Sequence, residues 1–149
     1  MDTVKSYTPR ARDIQRAWHV IDATNRPLGR LASDAARLLS GKHKVIYAPH
    51  MDVGDYVVIV NAAHVGITGA NKGRQKMYYR HSGYPGALRA VSLDEMMTRH
   101  PERVIEHAIH GMLPKNSLGR QMLRKLRVYA GPTHPHTGQA QPFTGDATA

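Results

Sequence analysis

Tyr56-Val57-Val58-Ile59-Val60, entered through Gly54-Asp55 and left through Asn61, is the stretch on which the fold class turns. Four of its five residues are β-branched and no polar residue interrupts them. A strand with one wet face alternates, so an unbroken apolar run predicts a strand covered on both sides, as in a parallel sheet.

Parallel neighbours need a crossover, and the upstream residues supply one. Trp18-His19-Val20-Ile21-Asp22 reads as a short strand, followed by the turn-prone Ala23-Thr24-Asn25-Arg26-Pro27, where Thr24 or Asn25 can cap a helix. Leu28, Leu31, Ala32, Ala35, Leu38 and Leu39 then recur at helical spacing, with Arg30, Asp34 and Arg37 off the stripe and Gly41 as a left-handed stop. Strand, helix and strand make a βαβ opening.

Downstream, Val65 to Gly69 reads as another short strand and Met77-Tyr78-Tyr79 as a further one. Ser92-Leu93-Asp94-Glu95 matches a capping box, predicting a helix to about Arg99. Pro101 suits the first turn of the next helix, whose buried stripe is Val104, Ile105, Ala108, Ile109 and Met112. A third helix puts Leu118, Met122, Leu123 and Leu126 on an oily face and Arg120, Arg124 and Arg127 on a cationic one. The expected organisation is an N-terminal arm over 1–17, an α/β domain over 18–130 and a flexible tail over 131–149, rich in Pro, Gly, Thr and Gln with no apolar stripe to order it.

The 149 residues suit one domain, able to bury about two-thirds of its unfolded surface. Charge is the unusual feature: 21 Lys and Arg against 11 Asp and Glu leave a formal +10, an imbalance that attracts polyanions, above all nucleic acid. Anionic membrane is the competing polyanion, but no apolar run approaches the length of a spanning helix and neither terminus carries a lipidation signature. With no signal peptide expected and no Cys, the cytoplasm is the expected compartment.

The cations are clustered. Lys72, Arg74, Lys76, Arg80 and Arg89 lie in one acid-free segment, and Lys115, Arg120, Arg124, Lys125 and Arg127 in another. Solvation alone usually mixes signs, so unopposed positive charge favours phosphate contacts over a merely solvated face. In Tyr78 to Gly86, tyrosines interleave with donors: Tyr79 and Tyr84 can stack on unpaired bases while Arg80 and His81 hold phosphates or 2′-hydroxyls. The competing reading leaves Tyr78 and Tyr84 as packed rings in a strand and a turn. Lys42, His43 and Lys44 add a positive corner after the first helix.

Catalytic readings fail on their own requirements. A P-loop ending at Gly41-Lys42 would need Gly at position 36, which is Ala, and Ser or Thr where His43 stands. Gly66, Gly69 and Gly73 do not make a dinucleotide turn, and no G-x-S-x-G elbow occurs. Asp52 and Asp55 read as turn residues rather than as a catalytic pair. His107 with His110, and His134 with His136, lack the Cys or carboxylate partners of a metal site. No catalytic residue, metal, cofactor or small-molecule substrate is expected.

From Trp18 to Tyr129 the chain closely resembles the bacterial large-subunit ribosomal protein thirteen family. The matching segments are Asp22-Ala23-Thr24 with Leu28-Gly29-Arg30-Leu31-Ala32, Gly41-Lys42-His43-Lys44, Gly54-Asp55-Tyr56, His81-Ser82-Gly83-Tyr84-Pro85-Gly86, Pro101-Glu102-Arg103-Val104-Ile105, Gly111-Met112-Leu113-Pro114-Lys115 and Leu126-Arg127-Val128-Tyr129-Ala130-Gly131. His64 stands where Lys is common. The resemblance implies a three-layer α/β/α domain around a mostly parallel four-stranded sheet. It also implies a structural role in binding large-subunit ribosomal RNA during early assembly, beside neighbouring large-subunit ribosomal proteins.

Overall fold

The computed structural model describes residues 7–143; the outermost parts of the expected arm and tail, 1–6 and 144–149, lie outside them. The quoted run forms β2, Tyr56–Val60, and the upstream run forms β1, Trp18–Asp22. They pair in parallel with Trp18 opposite Tyr56 and Asp22 opposite Val60. Between them runs α1, Leu28–Ser40. Its Leu31, Ala32, Ala35, Leu38 and Leu39 are all buried, as the 3.6-residue spacing requires. Gly41 ends the helix at φ 77°, with its N-H donating to the Leu38 carbonyl and that of Lys42 to the Arg37 carbonyl.

Three more segments take the forms expected: a short strand, β3, Met77–Arg80; α3, Leu93–Arg99, with the Glu95 N-H donating to the Ser92 hydroxyl; and α4, Pro101–Met112, opening on its proline. Between β2 and β3 lies a single turn of helix, α2, Lys72–Gln75. After α4 come α5, Ser117–Leu123, and the strands β5, Leu126–Val128, and β6, Gln141–Pro142. The main sheet has the order β5-β2-β1-β6, parallel throughout, so the fold is the layered α/β type with a four-stranded parallel sheet. Ile21, Val57, Ile59 and Leu126 join residues of α1, α4 and α5 in the core.

Several details differ from the sequence reading. Neither Thr24 nor Asn25 caps α1: Pro27 holds that position, Thr24 turns to the Asp22 carboxylate and Asn25 takes a left-handed φ of 56°. The stretch at 65–69 makes only isolated bridges at Val65 and Gly66. β3 does not join the main sheet but forms an antiparallel pair with β4, Arg89–Ser92. Met112 emerges from the end of α4 exposed. The third helix stops at Leu123, so Leu126 and Arg127 belong to a strand.

The C-terminal segment also departs from expectation, because backbone pairing needs no apolar stripe. β6 pairs with β1, the Phe143 N-H donates to the Val20 carbonyl at 2.8 Å, and the Phe143 ring packs against the core. Upstream of β6, His136 lies 4.9 Å from the Trp18 ring, which itself stacks on Tyr56 at 4.4 Å.

One polar group lies at the heart of this arrangement. Asp55, 1% exposed, sits just before β2. Its carboxylate accepts from the Ala17 N-H at 2.9 Å and the Lys44 ammonium, and contacts His19 Nε2 at 3.2 Å and His43 Nε2 at 2.9 Å. Burial alone would push this carboxyl up. The hydrogen bonds from His19, Lys44 and Ala17, with the charge of Lys44, more than offset that and hold it well below its ordinary 3.8. Nearby, Asp52 pairs with Lys125 at 2.5 Å, and Lys125 also donates to the Leu39 carbonyl at 3.2 Å.

A carboxyl with a depressed folded-state value stabilises the fold fully above its unfolded value, and that contribution fades as pH falls through the folded one. Urea midpoints should therefore decline as pH drops below about 4, where the unfolded carboxyl begins to take up its proton. Asp55→Asn should cost about 3 kcal/mol at neutral pH, because it leaves Lys44 unpaired. The gap between variant and parent should narrow on acidification. A gap constant from pH 7 to pH 3 would refute the assignment.

Candidate nucleic-acid interface

The β3–β4 hairpin is built to project. Tyr79 and Arg80 pair with Ala90 and Arg89, and local hydrogen bonds shape the loop between them. The Gly83 N-H donates to His81 Nδ1 at 2.9 Å and the Ala87 N-H to the Tyr84 carbonyl at 3.2 Å. Gly83 and Gly86 adopt φ of 98° and 75°, which side chains disfavour, and a Cβ on either would meet nothing, so backbone conformation rather than crowding demands glycine there.

Alternation along β3 separates its two tyrosines. Tyr78 turns inward, its ring 5.5 Å from that of His107 and under the Lys76 ammonium at 5.4 Å. Burial pushes the Tyr78 hydroxyl up, and that hydroxyl has no hydrogen-bond partner among the described residues. Tyr79 points out, 69% exposed, and Tyr84 at the loop is 77% exposed. The packed-ring reading therefore holds for Tyr78 and fails for Tyr84. Around these rings Lys72, Arg74, Lys76, Arg80 and His81 are all exposed. α2 packs closely beside the start of α3: a Cβ on Gly73 would come within 1.8 Å of the Asp94 carboxylate, which would have to turn away.

The second cationic segment divides differently. Lys115, Arg120, Arg124 and Arg127 are exposed, although Arg127 spends hydrogen bonds on the carbonyls of Arg124 and Leu126, both at 3.1 Å. Lys125, expected among the RNA contacts, is instead 6% exposed in its side chain and committed to Asp52. Its burial lowers its ammonium from the ordinary lysine value, against the opposing pull of Asp52. Gly54 makes room for it, since a Cβ there would strike the Leu39 carbonyl and crowd the Lys125 ammonium.

The positive corner divides as well. Lys42 is exposed, whereas Lys44 is tied to Asp55 and to the carbonyls of Gln15 and Val53, and His43 turns its Nε2 to Asp55. The ligand atoms of His19, His43 and Asp55 all lie within 4.8 Å of one another, a grouping that could bind a metal. Here, however, the Lys44 ammonium already supplies the positive charge that Asp55 needs, so the arrangement is that of a hydrogen-bonded ion pair. By sequence Asp52 and Asp55 read as turn residues. Asp52 does accept from the Gly54 N-H, but the ion pairs leave no local signature because their partners stand up to 73 residues away.

The exposed cations and rings thus gather on a hairpin and on the α5–β5 segment, and a family model described as ribosomal protein L13 matches residues 16–135, from just before β1 to the segment after β5. The chain belongs to the ribosomal protein L13 family. Among relatives named large ribosomal subunit protein uL13, that of Streptomyces griseus is 57% identical over 145 residues, 97% of either chain. That of Streptomyces coelicolor is 60% identical over 141 residues, 94% of this chain and 95% of its own. The Roseiflexus protein is 56% identical over 136 residues, 91% of this chain and 92% of its own. These L13 relatives are named as ribosomal constituents, in agreement with the non-enzymatic reading.

The two adjacent tyrosines give a direct check on the geometry. Tyr79→Ala and Tyr84→Ala should leave stability within about 0.5 kcal/mol of the parent, as exposed substitutions do. Tyr78→Ala should cost about 2 kcal/mol or more through lost packing. Urea denaturation of the three variants measures this, and equal losses at Tyr78 and Tyr79 would contradict the inward and outward assignment.

Proposed function

We propose that this member of the L13 family is a structural constituent of the large ribosomal subunit that binds ribosomal RNA and helps early subunit assembly. It would act in the cytoplasm, beside neighbouring large-subunit proteins. The observation that carries the reading is the projecting hairpin, where exposed Tyr79 and Tyr84 stand among Lys72, Arg74, Lys76, Arg80 and His81. Exposed rings offer stacking surfaces to unpaired bases, and the surrounding cations offer counter-charges to phosphates. Lys42, Lys115, Arg120, Arg124 and Arg127 extend the cationic surface, while the rigid α/β body fixes the spacing between segments. Bound this way, the protein would join RNA strands that repel one another. Lys44, His43 and Lys125 would contribute through the fold, as their partners within the protein indicate.

Neutralised phosphates release counterions, so affinity for ribosomal RNA should fall by roughly 0.7 to 0.9 logarithmic units per contact for each tenfold rise in salt. Changing Arg120, Arg124 and Arg127 together to Gln should weaken binding and flatten that slope, with thermal unfolding nearly unchanged. Filter binding across a salt series tests both. A flat parental profile, or equal affinity for duplex DNA of the same length, would overturn the RNA reading.

A further inference from the structure

Beside the hairpin, between α1, α2 and α4, lies a cavity of about 660 Å³. That volume is in the range of small-molecule sites, roughly 300 to 1,000 Å³. Leu28, Ile67, Leu93 and Met112 give it apolar walls, while Lys72 and Lys76 stand on its lining, with no carboxylate among the lining residues. His107 also lines it, its ring set against Tyr78. An apolar slot with two ammonium groups suits a ligand that is flat and apolar at one end and anionic at the other.

Two glycines strengthen the case. Gly29 in α1 and Gly111 in α4 both line the cavity. Neither has a positive φ, and a Cβ built on either meets no atom within 4 Å. Glycine weakens a helix relative to alanine, so a glycine that neither backbone conformation nor packing demands calls for another reason. Here its effect is to keep the slot open. Gly54 differs, because there a Cβ would collide with the Leu39 backbone.

We infer that this cavity receives one unpaired nucleotide of the bound RNA, its base against Leu28, Ile67 and Met112 and its phosphate at Lys72 and Lys76. The inference rests on the RNA-binding reading above and gives it a defined pocket. His107 supplies a ring nitrogen for the edge of the base or a ribose hydroxyl, held in place by Tyr78. The nearby hairpin cations retain the flanking phosphates. The occupant is a nucleotide rather than an apolar peptide because the lining carries two cations and no acid.

The test uses the full chain with ¹³C-methyl methionine, titrated separately with adenosine monophosphate, adenosine and inorganic phosphate. A saturable shift of the Met112 methyl is expected with the monophosphate, a weaker one with adenosine and none with phosphate alone. Lys72→Gln combined with Lys76→Gln should weaken the monophosphate roughly tenfold, the loss of one to two charge-assisted contacts. Gly111→Leu should fill the slot and abolish saturation without lowering the unfolding temperature, and Gly29→Ala provides a milder filling that a helix favours. No saturable shift with any of the four ribonucleoside monophosphates, or an undiminished one in Gly111→Leu, would overturn the pocket. If Gly111→Leu also bound ribosomal RNA as tightly as the parent, the pocket would fall while the RNA-binding function stood. Failure of the parent to bind RNA at all would overturn both.

Discussion

A buried carboxylate at the entrance to the central strand is the constraint on which the rest depends. Asp55 can stay ionised in the interior only if several donors converge on it, and they come from two separate places: Ala17 and His19 around the start of β1, and His43 and Lys44 after α1. Satisfying one charge therefore fixes the entry to β1, the exit from α1 and the start of β2 relative to one another. Asp52 extends the same logic to β5 through Lys125. Removing one partner from such a pair is costly because the survivor keeps its charge without its counter-charge.

The same pairings sort a strongly basic chain into two populations of cations. Lys44 and Lys125 are consumed by the fold, where acids and carbonyls surround them. Those on α2, the hairpin and α5 point outward. A formal +10 is thus a blunt measure of what a polyanion meets. What matters for recognition is which positive groups remain uncommitted, and whether aromatic surface stands among them.

The elements with strong local signals were readable from sequence. β2 announced itself by its unbroken β-branched run, α1 by its stripe and closing Gly41, and α3 and α4 by their capping serine and leading proline. Long-range pairing was less accessible. Nothing in Gln141-Pro142 signals a strand, since its ordering comes from the exposed edge of β1 rather than from its own composition. The helix expected to carry Leu126 and Arg127 stopped early because β2 offered residues 126–128 a ladder, and tertiary pairing outweighed local periodicity. At the candidate interface, the aromatic and basic character of 72–89 was legible. The commitment of Lys125 was not, because a lysine in a basic run looks the same whether or not an acid 73 residues away has claimed it.

The pairing of β6 with β1 carries a consequence for how the molecule is completed. During synthesis β1 emerges early, yet one of its hydrogen-bonding edges finds its partner only when Gln141 and Pro142 arrive. Until then that edge is an open template, and unpaired edges invite strands from other chains. The segment that carries β6 acts as a latch: removing it would uncover that edge of β1 and leave it open to strands of other chains.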